Sequence, residues 1–474
     1  MKNKLYLIVA LLLCASLQAG AQTNWTLEDC INHALKNNIS VQQSQAQLST
    51  ATNNLLQSKL SLLPSINANA SNNYNFGRSI DPFTNTFAVQ QIRSNNFSIS
   101  GNVTLFSGLQ NQNTIKQSDA TLKAAKQDLE ATRNTVALNI AAAFLQVVLN
   151  EEIVEVSRVQ MQTTQQQLDR AQKLVDAGRQ PINTVLDIKA QLSSENLTLV
   201  NAQNQLELSY LNLWQLMMYQ PAPGDKVVKP TITQDFENLP VFSPQTIYEN
   251  FSQTAPEIRA AQYRVNSSLY AHKVALGGRS PRISLSGSIS SVYSESFKSY
   301  GGYTTIGTRE LYTDLNGTPV IAPYAIPTTA SVTPFGQQLS DNLGKFVGIS
   351  MSIPIFSGWQ VNNAIDNAKN SIQIADLNKK QAENTVYRDV TTAVTQYEAA
   401  KAKYTSSKEN IEAQQKSFEF ANARNEAGLM NFAEFALIKN NLARAETNMV
   451  QAKYELLFRM KTIEFYNTGK ITNQ

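Results

Sequence analysis

Phe106-Ser107-Gly108-Leu109-Gln110 opens a long helical pattern that reaches Ala177-Gly178, turns, and returns as a second helical pattern to about Met217. Phe356-Ser357-Gly358-Trp359-Gln360 opens the same pattern again, and Ala427-Gly428 turns it. Gly108 and Gly358 are 250 residues apart, as are Gly178 and Gly428, so no insertion separates the landmarks. The chain is a tandem duplication whose unit contains a long helical hairpin, and a repeat of this size governs every later reading.

Within the unit, Ile140, Val147, Val154, Met161, Leu168 and Val175 fall at every seventh position. The second copy gives Val390, Tyr397, Tyr404, Ile411 and Phe418 in the same phase. A sustained seven-residue apolar spacing imposes a left-handed supercoil on packed helices. From Leu109 to Ala177 the helix would run roughly 100 Å at ~1.5 Å per residue, longer than a globular domain needs.

Upstream, Thr26-Leu27-Glu28-Asp29 places a capping hydroxyl three residues before an acid and starts the first helix. Its apolar positions are Ala34, Val41, Leu48, Leu55 and Leu62, and Leu63-Pro64 stops it. The period then changes from seven to two. Ile66, Ala68, Ala70, Tyr74 and Phe76 alternate with serines and asparagines, and after a polar loop with Gly77, Asp81 and Pro82 so do Phe97, Ile99, Gly101, Val103 and Leu105. Two strands of about ten residues, apolar on one face and small-polar on the other, fit a membrane β-barrel. Tyr74, Phe76, Phe83 and Phe87 near the loop suit a headgroup girdle. A soluble hairpin with one buried face has the same alternation, and periodicity alone does not separate the two.

After the first helical hairpin, the proline-punctuated residues 219–243 read as a connector. Ser243-Pro244 then starts a helix running to about residue 280 that matches the first one, with Pro281 standing 217 residues after Pro64. A second strand pair follows: Ile283, Leu285, Gly287, Ile289 and Tyr293 on one face, then Val347, Ile349, Met351, Ile353 and Ile355. The two offsets, 217 and 250, differ by 33 residues, and that excess must lie in the loop between Ser294 and Leu343. Unequal loop length on one side is usual in outer-membrane strands. The second helical hairpin runs to about Tyr466, and residues 467–474 carry no pattern.

Composition bounds the function. The formal charge is +4, which argues against a nucleic-acid partner needing a basic face. No apolar run after residue 21 reads as a bilayer-spanning helix. Lys2, Lys4, the apolar run Leu5 to Ala15 and Ala19-Gly20-Ala21 form a secretory signal, so the mature chain is expected to start at Gln22. Lipidation at Cys14 is not expected, because Leu13 stands where a small residue is needed. Cys30 is then alone and reads as a small buried hydrophobe. His33 and His272 fall in neither repeat register, and no metal-ligand spacing, nucleophile elbow or phosphate loop appears. No enzyme, cofactor or metal is expected. Met217-Met218 reads as packing rather than a copper site, and the adjacent Glu151 and Glu152 point in different directions.

Four barrel strands cannot close, and an open sheet edge in lipid leaves backbone groups unsatisfied. A barrel around a channel needs more strands, so the chain must oligomerise, in a number the residues do not fix. The order helix, Leu63-Pro64, strand pair, Leu105-Phe106-Ser107-Gly108, long helix, Ala177-Gly178, helix, given twice, resembles the TolC-like outer-membrane efflux channels, as do Pro354-Ile355-Phe356-Ser357-Gly358 and Arg424-Asn425-Glu426-Ala427-Gly428. The resemblance implies a mainly α fold with a membrane β-barrel. Three chains would share a twelve-stranded barrel in the outer membrane and a helical tunnel in the periplasm, closed at its tip. A periplasmic adaptor and an inner-membrane pump would dock there.

Gly178, Pro181 and Gly428 mark the tip turns. Family members often narrow the tip with carboxylates. Glu434 matches one such position, but the next is Leu437, the family's arginine is Met430, and the usual acid after the first turn is Thr184, with Asp187 one helical turn further on. The leading expectation is a passive efflux duct. A protein-secretion duct would use the same architecture, and a surface adhesin with a coiled-coil stalk is the alternative of another class.

Overall fold

The computed structural model describes residues 24–80, 85, 87–88, 91–230, 236 and 239–469. The expected signal segment and start at Gln22, the loop residues Asp81, Pro82 and Phe83, and residues 470–474 lie outside the described residues. Two compact units form. One holds the chain up to Asn53, Asp119–Ser267 and the chain from Gln373 on; the other holds Asn54–Ser118 and Ser268–Ile372.

The duplication is reproduced element by element. Helices α1 (Leu27–Asn37) and α2 (Ile39–Leu60) lead to strands β2 (Ser65–Asn75) and β3 (Ile92–Ser107), then to α3 (Gln110–Asp176) and α4 (Ile182–Met217). The second copy is α5 (Pro244–Ser252), α6 (Pro256–Gly277), β5 (Arg282–Ser294), β8 (Gly344–Ser352), α8 (Gln360–Glu426) and α9 (Phe432–Thr468). Between them, the short strand β4 (Lys226–Val227) of the connector pairs in parallel with β1 (Asn24–Trp25).

Each entry helix differs from the sequence reading by being two pieces. Thr26 caps α1 through the reciprocal bonds with Asp29, but the helix stops at Asn38. The Asn38 amide N–H donates to the Ala34 carbonyl at 2.7 Å, and its side-chain oxygen accepts from the Ser40 N–H at 2.9 Å, capping α2. In the second copy the expected single helix over 244–280 breaks at residues 253–255, because Pro256 cannot continue a helix from the preceding turn. The last helix runs past the expected Tyr466 to Thr468 and ends at Gly469, whose N–H donates to the Phe465 carbonyl at 2.7 Å.

In the helical unit the copies build two cores. Trp25, Cys30, Ala34 and Val41 pack on Ile140, Phe144, Val147, Trp214 and Met217. Ile247, Phe251 and Ile258 pack on Val390, Val394, Tyr397, Leu456 and Phe465. Burial pushes the Cys30 thiol up to about 12, as expected for a packing residue. An 18-residue window of α3 has a mean hydropathy of 1.4, enough by composition to cross a bilayer, contrary to the sequence reading; half of it is buried. Below this level the heptad positions Met161, Leu168 and Val175 are only half-buried, while Thr164 and Ala171 are buried. Glu151 and Glu152 diverge as expected: Tyr210 donates to Glu151 at 2.7 Å, and Lys229 pairs with Glu152 at 3.1 Å.

In the other unit four strands form one antiparallel sheet in the order β8–β5–β3–β2. Ile66, Val347, Ile349 and Met351 are exposed on it, the pattern of a sheet whose apolar face meets a non-aqueous surrounding. The 33-residue excess is not an irregular loop. It carries a hairpin, β6 (Lys298–Thr313) and β7 (Pro319–Val332), and a short helix α7 (Phe335–Asp341). Asp314 closes the hairpin by accepting the Asn316 and Thr318 N–H groups at 2.9 Å. Fully buried Gln338 fixes α7 to the end of β5, bonding both the N–H and the carbonyl of Ser294 at 3.0 Å.

Candidate functional site: the hairpin tips

Both long hairpins reverse in the same way. At the first tip the Gly178 N–H donates to the Val175 carbonyl at 2.9 Å and the Arg179 N–H to Leu174 at 2.8 Å. At the second, Gly428 donates to Asn425 at 3.1 Å and Leu429 to Arg424 at 2.9 Å. This pair of bonds terminates a helix through a left-handed residue. Gly178 and Gly428 occupy it at φ +71° and +73°. Pro181 caps the return helix α4 without a side-chain bond; its counterpart Asn431 accepts the Glu434 N–H at 2.8 Å.

The two tips lie side by side. Phe432 packs on Ala171, Val185 and Ile188 of the first hairpin. Asp187, Glu434 and Leu437 are exposed and Met430 is half-buried. Among the described residues neither Asp187 nor Glu434 enters an ion pair, and no contact joins the two carboxylates. Glu434 stands where the first copy has Thr184, and Asp187 where the second has Leu437, so each copy carries one acid at a different level.

A polar knot that the sequence reading missed lies further up the hairpins. Lys439 of α9 is 3% exposed, Glu195 of α4 6% and Thr164 of α3 0%. The ammonium group donates to the Thr164 hydroxyl and to the Gln160 carbonyl at 3.2 Å, and stands 3.5 Å from Glu195. The Thr164 hydroxyl donates onward to Glu195. Gln191 completes the shell, donating to Glu195 at 2.8 Å and to Asn440 at 2.9 Å. Burial lowers the Lys439 pKa, and Glu195 opposes the shift. The knot ties the second hairpin to both helices of the first. Its signal was available: Ile188, Glu195, Ala202 and Ser209 form a heptad series, and a carboxylate in a buried seam demands a partner. The opposing lysine comes from another repeat, and spacing does not reveal it.

No other chemistry gathers here. Among the described residues no group of three or more histidines, cysteines and carboxylates could hold a metal ion. Met217 is buried in the core, and His33 packs edge-on to Trp25 and Tyr219.

Known proteins match this architecture along nearly the whole chain. The outer membrane efflux protein BepC of Brucella suis is 21% identical over 464 residues, covering 98% of this chain and 90% of the relative. The outer membrane protein TolC of Escherichia coli is 21% identical over 341 residues, covering 71% and 62%. The crystal structure of VceC from Vibrio cholerae superposes with a TM-score of 0.70 at 16% identity, covering 94% of this chain and 95% of that one. The CmeC outer membrane channel of Campylobacter jejuni gives 0.73 at 16% identity, covering 94% and 86%. The fold is that of these channels: long helical hairpins, given twice, joined to a β-sheet. The sequence pattern described as "Outer membrane efflux protein" matches residues 30–217 and 247–465, one block for each repeat, and the chain belongs to that family.

Proposed function

We propose that this chain is the outer-membrane duct of a tripartite exporter. Three copies share a twelve-stranded barrel in the outer membrane and a helical tunnel in the periplasm. They conduct small molecules or drugs passively from an inner-membrane pump and periplasmic adaptor to the exterior. The chain supplies route and gate, not chemistry, and is delivered by a cleaved signal peptide. The observation that carries this reading is a four-stranded sheet with two unpaired edges, β2 and β8, in a chain that also ends two long hairpins in matching tips. An open sheet edge is not tolerated in lipid, so further copies must complete the wall.

The tips are the gate in this reading. Gly178, Pro181 and Gly428 form the turns. Asp187 and Glu434 place three carboxylates each around the axis, and Met430 and Leu437 fill the positions between with apolar groups. Adaptor helices would open the gate by separating the hairpins. Purified protein in planar bilayers tests it. The resting conductance is expected to be small and cation-selective, and Asp187→Asn with Glu434→Gln is expected to weaken the selectivity. A wide, permanently open pore without partners would sink the closed tip, and no conductance at all would favour a stalk-like adhesin. A deletion strain that gains sensitivity to drugs, with its secreted proteins unchanged, separates efflux from protein secretion.

A further inference from the structure

The free β8 edge carries exposed apolar groups whose first-copy counterparts are partly covered inside the chain. Ile355 and Phe356, after β8, are 96% and 85% exposed, whereas their first-copy equivalents Leu105 and Phe106 are 54% and 41% exposed. The difference has a visible cause. The first-copy segment lies against the end of α6 and the start of β5. Ser107 pairs with Arg282, the Gln110 side chain donates to the Val274 carbonyl at 3.1 Å, and Gly108 approaches so closely that an added Cβ would lie 2.5 Å from Ser280. The second-copy segment has no such seat, and around Gly358 there is open space. At the opposite edge, the end of α2 presents the apolar side chains of Leu60, Leu62 and Leu63, which are 49%, 42% and 62% exposed. Leu60 and Leu63 are the repeat equivalents of Gly277 and Ser280.

We propose that a second copy of this chain docks at that edge in a register the internal repeat dictates: Met351 opposite Ala70 of the partner subunit. The inference rests on the ring reading above and adds which residues meet. Within the chain β3 faces β5 with Ile99 opposite Ile289, Ser100 opposite Ser288 and Gly101 opposite Gly287. Advancing β3 by one repeat gives β8, and moving β5 back by one gives β2. The translated pairs are Ile349 with Asn72, Ser350 with Ser71, Met351 with Ala70, and Ile353 with Ala68 of the partner subunit. Beyond a bulge like the one between Thr104 and Phe106, Phe356 meets Ile66 of the partner subunit; the helix ends stand further apart than inside the chain, because Leu60 replaces Gly277, where a Cβ would lie 2.6 Å from Gln110 and the Gly108 carbonyl.

An independent criterion agrees. Directly opposed residues share a sheet face, and a one-residue slip would exchange the faces. In the translated register Ile353 and Met351 meet the alanines of β2, and Ser350 and Ser352 meet Ser71 and Asn69. Apolar lies against small apolar and polar against polar at these four pairs, and Ile349 against Asn72 of the partner subunit is the exception. A two-residue slip would keep the faces but move Phe356 away from Ile66 of the partner subunit. The register does not depend on how many copies close the ring.

Paired cysteines test it. Successive antiparallel pairs alternate between a wide and a narrow spacing, so Met351→Cys with Ala70→Cys and Ser350→Cys with Ser71→Cys sample both. Slipped controls combine Ser350→Cys with Asn69→Cys or with Asn73→Cys. Buried Cys30, its thiol pushed up to about 12, stays silent. After mild oxidation in detergent, at least one direct pair is expected to give reducible multimers on a denaturing gel, at several-fold higher yield than either slipped pair. Slipped pairs that link as well as the direct ones, or direct pairs that fail to link in protein of oligomeric native mass, overturn the register while leaving the ring. A monomeric native mass overturns the ring reading, and the register with it.

Discussion

Replacing Lys439 by Met removes one charge from a site that excludes water and leaves the Glu195 carboxylate facing Thr164 without a counter-ion. At the 3.5 Å separation seen, the attraction is about 5 kcal/mol at an effective dielectric constant of about 20. Desolvation of both groups offsets much of that, and breaking such a pair from one side costs ~3–5 kcal/mol. Gln191 and Thr164 still donate to Glu195 after the change, which points to the lower end, about 3 kcal/mol. The loss falls on the docking of α9 against α3 and α4. It is best read as hydrogen–deuterium exchange over residues 432–445, where about 3 kcal/mol of local stability corresponds to faster exchange on the order of 100-fold. Lys439→Met with Glu195→Gln removes both charges and should return exchange to within about tenfold of the parent, because neutral groups of similar volume replace the pair. If the single variant exchanges within about threefold of the parent, the knot does not hold the hairpins together. If the double variant is as fast as the single one, packing rather than charge compensation is responsible.

Gly108→Ala and Gly358→Ala separate backbone strain from steric fit. Both residues have positive φ, +60° and +57°, so the strain of about 1 kcal/mol is shared; only Gly108 has Ser280 and the Gly277 carbonyl within 2.6 Å of the added carbon. Thermal unfolding of the detergent-solubilised protein should show a clearly larger loss for Gly108→Ala, because Leu60 of the partner subunit stands where the chain has Gly277 and holds the Gly358 joint further apart; equal losses would refute it. At the tips, where an added carbon meets nothing within 4 Å, Gly428→Ala should cost only the strain, about 1 kcal/mol, and Gly428→Asn less. Hydrogen exchange at residues 424–434 measures both. Burial, with Glu152 nearby, pushes the Tyr454 phenol up to about 12. Its neutral form therefore contributes stability that is complete below the unfolded value near pH 10 and is lost as pH rises toward 12. Tyr454→Phe should flatten that alkaline decline by about 2 kcal/mol in pH-dependent unfolding.

The repeat was legible because its two copies keep the same lengths wherever packing is continuous. Gln110–Asp176 and Gln360–Glu426 begin and end 250 residues apart, and Ile39–Leu60 and Pro256–Gly277 are 217 apart. Apolar periods of seven and two are physical consequences of helix and strand geometry, so they survive in a bare sequence. What stayed hidden was local or relational. Asn38 breaks α1 from α2 by taking an extended backbone while its side chain accepts the Ser40 N–H, a choice that depends on the local backbone and not on the apolar period. The β6–β7 hairpin was masked because its Tyr, Thr, Gly and Pro residues follow no strict alternation, and register shifts at Thr305–Gly307 and Glu310–Tyr312 interrupt it. Lys439 and Glu195 are 244 residues apart, and only folding shows that one answers the other. The same distinction divides the tip residues from the wall. Gly178 and Gly428 are fixed by backbone geometry within one chain. Asp187 and Glu434 are exposed in the isolated chain, so any constriction they form is a property of the assembly. The sheet edges differ from them in one respect: the chain already contains a copy of the joint it must make with its neighbour. A residue pair for each contact can therefore be read from β3 and β5, and a wrong register would expose itself in a cysteine pair two residues away.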